Sequence, residues 1–184
     1  MIISIETPRL YLKTLEESDV SQKYVDWLND PVVNTYLETR HNHQTLDSCK
    51  EFVKGCLKSP AENLFGVFLK EKNIHIGNVK LGLINPIHLR GQLSLIVGDR
   101  LQWGMGYGSE IVRAVTKFGF EQLHLDRIEA GCYEENLSSL RIFLRAGYSV
   151  EGFFREHSLI SNGQRASCFW LAILRHEFER TCRE

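Results

Sequence analysis

The glycine-rich stretch that decides the fold of this 184-residue chain reads Asp99-Arg-Leu-Gln-Trp-Gly-Met-Gly-Tyr-Gly-Ser-Glu110. Its three glycines alternate between an apolar run over residues 93–97 and apolar residues over 111–118 that recur at helical spacing. A glycine-rich turn that opens a helix leaves several backbone N–H groups unpaired, and the helix dipole adds positive charge at the same point. The stretch therefore predicts an anion site, most often for phosphate. A plain strand-to-helix turn is the alternative interpretation.

Two nucleotide-binding motifs compete for this stretch. The P-loop is excluded because no lysine follows any of the glycines. The dinucleotide fingerprint is met in part, since two glycines fit but Ser109 stands where the third belongs. An acidic residue near the expected offset, Asp126 or Glu129, keeps this interpretation open, whereas residues 98–103 separate the glycines from their strand. A nicotinamide-dependent oxidoreductase is therefore the less favoured alternative.

A second stretch, Asn136-x-x-Ser139-x-x-Ile-Phe143-x-x-Ala-Gly147-Tyr148, follows a short β-like run over 127–133. It predicts a helix that begins at Asn136, buries Leu140, Phe143 and Leu144, and ends at Gly147, where glycine is the favoured residue. Together the two stretches resemble the GCN5-related N-acetyltransferases (GNATs). The first is similar to their acetyl-CoA pyrophosphate loop, and the second to their Asn-x-x-(Ala/Ser)…Gly-Phe segment.

Within that superfamily the chain resembles the branch of ribosomal-protein, spermidine and nucleotide-aminosugar acetyltransferases. The supporting segments are Glu6-Thr-Pro-Arg-Leu-Tyr-Leu12, Trp27-Leu-Asn-Asp-Pro31, Glu151-Gly152 and Ser161-Asn-Gly163. The resemblance extends over nearly the whole chain and implies a single N-acetyltransferase domain over residues 1–184.

Composition and charge narrow the class of protein. A formal net charge of −1 gives no case for nucleic acid or an anionic membrane as a partner. The N-terminus lacks a basic region, and no apolar run approaches the ~18 residues that cross a bilayer, so we expect neither secretion nor membrane insertion. Five scattered cysteines without a C-x-x-C motif suggest reduced thiols and a cytoplasmic protein. His41 and His43 are the only close histidine pair, and we predict no metal site.

The hydrophobic pattern predicts an α+β fold with a largely antiparallel sheet of about seven strands and about four flanking helices. The predicted strands cover residues 9–15, 64–69, 74–84, 92–98, 127–133, 148–158 and 165–174, the last two joined by a turn at Ser161-Asn-Gly163. Before the sheet proper, Ser18 is the predicted N-cap of a helix through Trp27, and a helical turn is predicted over 32–37.

Thr45 is predicted to cap a longer helix through Leu57 that buries Phe52, Val53 and Cys56. The resemblance adds that the strands over 92–98 and 127–133 splay apart to admit the cofactor.

The resemblance implies acetyl-CoA as co-substrate, with pantetheine beside residues 95–97 and pyrophosphate on the N–H groups of 103–109. Arg100, Arg141 and Arg145 are candidates for the adenosine 3′-phosphate. The residues predicted to bind the cofactor are Leu95, Ile96, Val97, Trp103, Gly104, Met105, Gly106, Tyr107, Gly108, Ser109, Asn136, Phe143 and Arg145.

Catalysis needs a proton for the leaving thiolate. Many superfamily members use a tyrosine hydroxyl for this. In this chain the matching position is Phe143, whose side chain has no hydroxyl to donate a proton. In the ribosomal-protein-like branch a serine on the same helix takes this role, and Ser139 occupies the matching place. Tyr133 and Cys132 are second choices, and water is an alternative proton source.

The general base is less defined, because Gln92 replaces the carboxylate often found on the strand before the phosphate loop. Glu134, Glu135 and His75 are candidates by position. A water chain to one of them is equally consistent with the sequence, since an ammonium of pKa near ~10 needs only modest assistance.

The early helical region walls the acceptor pocket in related enzymes, so Trp27, Asn29, Tyr36 and Glu38 are the predicted substrate residues. We expect an N-acetyltransferase acting on a primary amine, with a small-molecule or nucleotide-linked aminosugar favoured. The alternatives are a protein N-terminal acetyltransferase of the ribosomal-protein type and a non-catalytic acyl-CoA-binding module. A polyamine is least favoured because no run of acidic residues is present. A homodimer is compatible with these expectations.

Overall fold

The computed structural model of the protein describes residues 3–160 and 163–181. Its strands are β1 Ser4–Glu6, β2 Leu10–Thr14, β3 Asn63–Leu69, β4 Ile74–Asn85, β5 Arg90–Val97, β6 Arg127–Tyr133, β7 Ser149–Leu159 and β8 Arg165–Leu174. These described strands form one sheet in the order β1-β2-β3-β4-β5-β6-β8-β7, in which only β5 and β6 pair in parallel. The predicted α+β class with a mostly antiparallel sheet is confirmed, with one strand more than expected.

The α-helices of the described ranges are α1 Gln22–Asn29, α2 Leu46–Lys58, α3 Tyr107–Glu121, α4 Leu137–Arg145 and α5 Arg175–Thr181. Short 3-10 helices lie at Glu17–Asp19, Glu38–His41 and Arg100–Gln102. The sequence pattern missed β1 and α5. Each is shorter than the window over which periodicity can be recognised, and each depends on tertiary contacts. Ile5 of β1 and Phe178 of α5, for example, pack against the main core.

Two boundaries near the N-terminus differ from the prediction. Ser18 lies in the first 3-10 helix, and the N-cap of α1 is Ser21, whose hydroxyl accepts the Tyr24 N–H at 3.3 Å. Residues 32–37 form turns rather than a helix. The predicted Thr45 cap is confirmed as a capping box with Ser48, because each side chain accepts the other's backbone N–H.

Two predicted apolar positions are exposed instead of buried. In α2 the buried residues are Cys49, Val53 and Cys56, which follow the helical period, whereas Phe52 is 47% exposed. In α4 Phe143 is buried as predicted but Leu144 is 45% exposed. A one-residue error at this spacing rotates a side chain by about 100° around the helix, which suffices to bring it into solvent.

The boundaries of α4 agree with the sequence. The Asn136 side chain accepts the Ser139 N–H at 3.1 Å, and Gly147 adopts φ 94 beyond the last turn. In the β7–β8 turn, Ser161 and Asn162 lie outside the described residues. The flanking Ile160 N–H donates to the Gln164 carbonyl at 2.9 Å, which closes the hairpin on either side.

The sheet is covered on both faces. Helices α3 and α4 pack on one face around a cluster that includes Ile111, Val115 and Phe143, and α1 and α2 pack on the other around Trp27 and Val53. Between them, β5 and β6 pair only from Arg90↔Arg127 to Gln92↔Glu129 and then diverge. The predicted splay is confirmed, and α3 begins beside it.

Candidate active site

A cavity of about 1190 Å³ lies where β5 and β6 diverge, and its walls come from both faces of the sheet. All but one of the residues predicted to bind the cofactor line this cavity. The lining members are Leu95, Ile96, Val97, Trp103, Gly104, Gly106, Tyr107, Gly108, Ser109, Asn136, Phe143 and Arg145. The structure therefore brings together residues that the sequence holds as far as 50 positions apart.

The edge of β5 that faces the cavity has no strand partner beyond Gln92, although the opposite edge stays paired with β4 up to Val97. Backbone groups on such an edge must bind water or a ligand. One of them is already used, because the Trp103 indole N–H donates to the Val97 carbonyl at 2.6 Å. The remaining edge suits an extended ligand that pairs with it like an additional strand.

The glycine-rich loop ends the cavity at the N-terminus of α3. Gly104 and Gly106 have φ values of 77 and 81, in the left-handed region that favours glycine. Gly106 is the N-cap of α3, so the N–H groups of the first turn, which include Tyr107 and Gly108, have no partner within the helix. A methyl group on Gly108 would lie 2.6 Å from Ile142 of α4, so glycine is also needed there for close helix packing. The loop thus has the geometry of an anion site.

Arg9 of the N-terminal segment binds this loop without lining the cavity. Its guanidinium donates to the Met105 carbonyl at 2.8 Å and to Glu110, in the first turn of α3, at 2.7 Å, and it covers the Tyr107 ring at 4.4 Å. Burial alone would raise the pKa of the Glu110 carboxyl, but hydrogen bonds from Thr7 and Arg9 outweigh it and lower that pKa. Met105, predicted to bind the cofactor, is instead 56% exposed and outside the cavity wall.

Arginine side chains stand at the α4 side of the cavity, where Arg141 and Arg145 line it. Neither forms an ion pair with another described residue. Arg100, the third candidate for a phosphate contact, lies outside the wall and 3.6 Å from Asp30.

The predicted proton donors Ser139, Tyr133 and Cys132 all line the cavity. Ser139 lines the cavity on α4, and no hydrogen bond from its hydroxyl is formed within the described residues. Phe143, one turn further along, is 1% exposed and packs edge-on against Tyr148 at 5.0 Å. Cys132 lines the cavity, but burial raises the pKa of its thiol to about 11.

Tyr133 belongs to a hydrogen-bonded cluster with Glu38 and Arg40. Its hydroxyl donates to Glu38 and accepts from Arg40 at 2.7 Å, and burial raises its pKa. The Arg40 side chain is only 1% exposed and also donates to the carbonyls of Leu37 and Leu159. The Tyr36 ring lies 5.9 Å from that of Tyr133. Sequence reasoning identified Tyr36 and Glu38 but missed Arg40, since nothing in the pattern marks an arginine that will be buried.

The candidates for a general base do not reach the cavity. The Glu134 carboxylate accepts the backbone N–H of Ser167 at 2.9 Å, which joins the end of β6 to β8. Glu135 is exposed and outside the wall. The His75 ring lies between Phe68, at 4.7 Å, and Trp27, at 5.1 Å. Gln92 does line the cavity, as its place on β5 predicts.

Two predicted substrate residues are part of the packing. Trp27 is 6% exposed and lies against Gly98, where a methyl group would stand 2.2 Å from the indole. The Asn29 side chain bonds both backbone groups of Gln44, at 2.8 and 2.9 Å. Neither residue lines the cavity.

The charges on the cavity wall are unbalanced. Among the described lining residues Glu38 is the single carboxylate, while Lys80, Arg141 and Arg145 are cationic. In the part of the chain that the structure describes, no cluster of three or more histidine, cysteine or acidic side chains is suited to a metal ion. No helix among the same residues is long and apolar enough to span a membrane.

Comparisons with known proteins agree with this geometry. The family model described as "Acetyltransferase (GNAT) domain" matches residues 9–149. An uncharacterized N-acetyltransferase of Bacillus licheniformis, p20, is 28% identical over 95% of this chain and 98% of its own length. A probable N-acetyltransferase of Bacillus subtilis, YjcK, is 36% identical over 67% of this chain and 68% of its own. The spermidine N(1)-acetyltransferase of Escherichia coli is 28% identical over 55% and 54%, respectively.

Solved structures show the same fold. The spermidine N-acetyltransferase of Vibrio cholerae, crystallised with CoA and spermine, superposes with a TM-score of 0.84 at 23% identity, covering 94% of this chain and 99% of that one. A GNAT-family acetyltransferase from Bacillus anthracis gives a TM-score of 0.81 at 25% identity, with 95% and 99% covered. The family match spans most of the chain, and its relatives are named N-acetyltransferases. The chain therefore belongs to the GNAT acetyltransferases.

Proposed function

We propose that this protein transfers the acetyl group of acetyl-CoA to the primary amine of an oxygen-rich small molecule, of which a nucleotide-linked aminosugar is the favoured example. The observation that carries the acceptor class is the charge of the cavity wall. It offers one carboxylate, Glu38, among its described residues, and that carboxylate already accepts the Tyr133 hydroxyl.

Three features of the cavity support acetyl-CoA as the co-substrate. The unpaired edge of β5 suits the amide-bearing pantetheine arm, the left-handed glycines at 104 and 106 leave room for a pyrophosphate, and Arg141 and Arg145 stand free to meet a further phosphate. The Vibrio cholerae structure that shares the fold was crystallised with CoA. Acetyl-CoA would supply an acetyl group activated as a thioester.

The residues of this chain would then orient the amine and move protons. Transfer forms a C–N bond and breaks the C–S bond, so the amine must lose a proton and the thiolate must gain one. Ser139 is the proposed proton donor, because its hydroxyl lines the cavity without a protein partner. Tyr133 is the second choice, since its proton already bonds Glu38. Glu134 is not part of the proposed machinery because its carboxylate bonds the Ser167 backbone. We propose that water carries the amine proton away.

A polyamine is the second candidate acceptor. The observation in its favour is that relatives are spermidine N-acetyltransferases and that the Vibrio cholerae enzyme was crystallised with spermine. A polyamine carries several ammonium groups, and each of them needs a carboxylate or a carbonyl oxygen to replace its water. Among the described lining residues, Glu38 is the only carboxylate that the cavity offers for this purpose.

An assay of CoA thiol release with a panel of amines tests the proposal. The panel holds UDP-glucosamine, a UDP-linked 4-amino-4-deoxyhexose, a peptide with a free N-terminal serine, and spermidine. We expect an aminosugar to give at least about tenfold higher kcat/KM than spermidine, which corresponds to roughly 1.4 kcal/mol of transition-state binding. A preference for spermidine, or no amine that raises thiol release above hydrolysis, would overturn the proposed acceptor.

A further inference from the structure

One polar side chain on the cavity wall is buried without being fully bonded. Asn78 is 4% exposed and lies on β4 opposite Ile96 of β5. Its neighbours along the strand, Val79 and Leu81, point into the core beneath α3, so Asn78 points to the other face, toward α1 and α2. On that face it lines the cavity.

The orientation of the Asn78 amide follows from its contact with His75. The His75 Nε2 atom lies 2.9 Å from the Gly77 carbonyl oxygen and 2.9 Å from Asn78 Oδ1. A carbonyl oxygen only accepts, so Nε2 must carry the hydrogen. The atom of Asn78 that faces this N–H must therefore be the amide oxygen, and the NH₂ group is directed away from His75.

The His75 ring is itself held in place. It stacks on Phe68 with ring centroids 4.7 Å apart and meets Trp27 edge-on at 5.1 Å. A ring fixed in this way cannot turn to offer its other nitrogen without repacking the core. His75 thus fixes the orientation of the Asn78 side-chain amide.

The Asn78 Nδ2 atom is buried and has no hydrogen-bond partner among the described residues. A buried donor without an acceptor destabilises the folded protein, because it has given up its hydrogen bond to water. Thr116, another buried polar residue of the described core, does not bear this cost, because its hydroxyl bonds Tyr148 at 2.8 Å. On the wall of a binding cavity, a bound ligand can supply the acceptor that such a donor lacks.

We propose that Asn78 is a specificity-determining residue whose NH₂ group donates to an oxygen atom of the acceptor substrate, with His75 as the positioning residue. The inference rests on the proposed transfer to an oxygen-rich amine. A hydroxyl, carbonyl or phosphate oxygen accepts this bond, whereas the ammonium groups of a polyamine have only hydrogens to offer. Asn78 therefore selects for oxygen next to the reacting amine and against a chain of methylene and ammonium groups.

The test compares Asn78→Asp and Asn78→Ala with the wild-type enzyme, using the aminosugar of the panel that turns over fastest and spermidine as probes. Asn78→Asp keeps the oxygen that faces His75 but removes both N–H donors. We expect kcat/KM for the aminosugar to fall about tenfold in both variants, through KM for the acceptor. KM for acetyl-CoA should stay unchanged. The ratio of spermidine to aminosugar turnover should rise most in Asn78→Asp, where a carboxylate replaces the amide.

Two further variants separate specificity from stability. Thr116→Val loses a buried hydrogen bond outside the cavity and should lower the melting temperature without changing KM for either substrate. His75→Phe keeps the stacked ring but frees the Asn78 amide to rotate, so it should raise KM for the aminosugar and leave KM for acetyl-CoA in place. A structural role alone would not split the two KM values in this way.

The outcomes distinguish this inference from the proposed function. If the wild-type enzyme acetylates an aminosugar and both Asn78 variants keep its KM and its preference, the inference is wrong and the proposed function stands. If the wild-type enzyme acetylates only spermidine, both are wrong, and this is seen before any variant is made. Should Asn78→Asp fail to fold, Asn78→Ala alone decides.

Discussion

The contact of Arg9 with the glycine-rich loop leads to a prediction that separates cofactor binding from catalysis. Arg9→Gln removes the bonds to the Met105 carbonyl, at 2.8 Å, and to the Glu110 carboxylate, at 2.7 Å. Buried charge-assisted bonds contribute about 1.5–3 kcal/mol each, but the Arg9 side chain is 48% exposed, so we discount the sum to roughly 1 kcal/mol. If this energy holds the loop in its binding conformation, its loss raises the Kd for acetyl-CoA about fivefold.

The assay is isothermal titration of acetyl-CoA together with steady-state kinetics. We expect Arg9→Gln to raise Kd and KM for acetyl-CoA while kcat changes by less than about twofold, since Arg9 does not line the cavity. The melting temperature should fall by about 2–4 °C, which is what 1 kcal/mol costs in a protein of this size.

Arg90→Gln is the matched control. The Arg90 and Glu129 side chains are 48% and 12% exposed, against 48% and 13% for Arg9 and Glu110, but this pair lies away from the loop. The control should lose no more stability than Arg9→Gln and leave the Kd for acetyl-CoA unchanged. Equal effects of the two variants on Kd, or wild-type affinity in Arg9→Gln, would show that Arg9 does not preorganise the loop.

Three further predictions concern the loop, the proton donor and acid stability. Gly106→Val should abolish the rise in melting temperature that acetyl-CoA causes, because valine rarely adopts φ 81 and the loop would leave the conformation that directs its N–H groups at the phosphate; a folded variant that keeps the full rise would contradict the loop assignment. Ser139→Ala should lower kcat by about 10²-fold, and Phe143→Tyr should restore part of that loss, whereas an unchanged kcat in Ser139→Ala would favour water as the proton source. The pKa of Glu110 is lower in the folded protein, so its contribution to stability is complete above the usual carboxyl pKa of about 4.3 and disappears as pH falls through the lowered value. Urea unfolding should therefore show a smaller loss of stability between pH 6 and pH 3 in Glu110→Gln than in the wild type, and an equal loss would show that the Glu110 contacts do not stabilise the fold.

The parts of the site that sequence predicts well are those built by local chemistry. The N-cap at Asn136, the C-terminal glycine at 147 and the glycines of the loop before α3 each need a particular residue type at a particular place in the chain. These signals are contained within a few residues, so a single sequence displays them. The apolar runs of β5 and β6 are equally local and give the right strands.

The parts that sequence misses depend on contacts between distant segments. Arg40 reaches Tyr133 across 93 positions, and Arg9 reaches Glu110 across 101. An arginine in a sequence is most simply interpreted as exposed, and only the fold shows which ones are buried or shared. The same limit explains why Trp27 was predicted in the acceptor pocket, since aromatic residues suit a pocket and a core equally well.

The resemblance to a family identified the chemistry but not the position of every group. Glu134 precedes the N-cap of α4, a place that suggests access to the splayed strands. Its carboxylate instead bonds the backbone N–H of Ser167. A donor without a partner, such as the amide nitrogen of Asn78, has no signature in sequence at all, because its lack of a partner is a property of the packed structure.

We propose that the splay between β5 and β6 and the loop before α3 together hold acetyl-CoA. Amide hydrogen exchange, followed by mass spectrometry with and without saturating acetyl-CoA, tests it most directly, because bonds to the ligand slow exchange at the amides that make them. We predict slower exchange in two separate segments, residues 95–97 and 103–109, and no change in α5, which lies outside the cavity wall. Binding that is detected by calorimetry but protects neither segment would show that acetyl-CoA is held elsewhere.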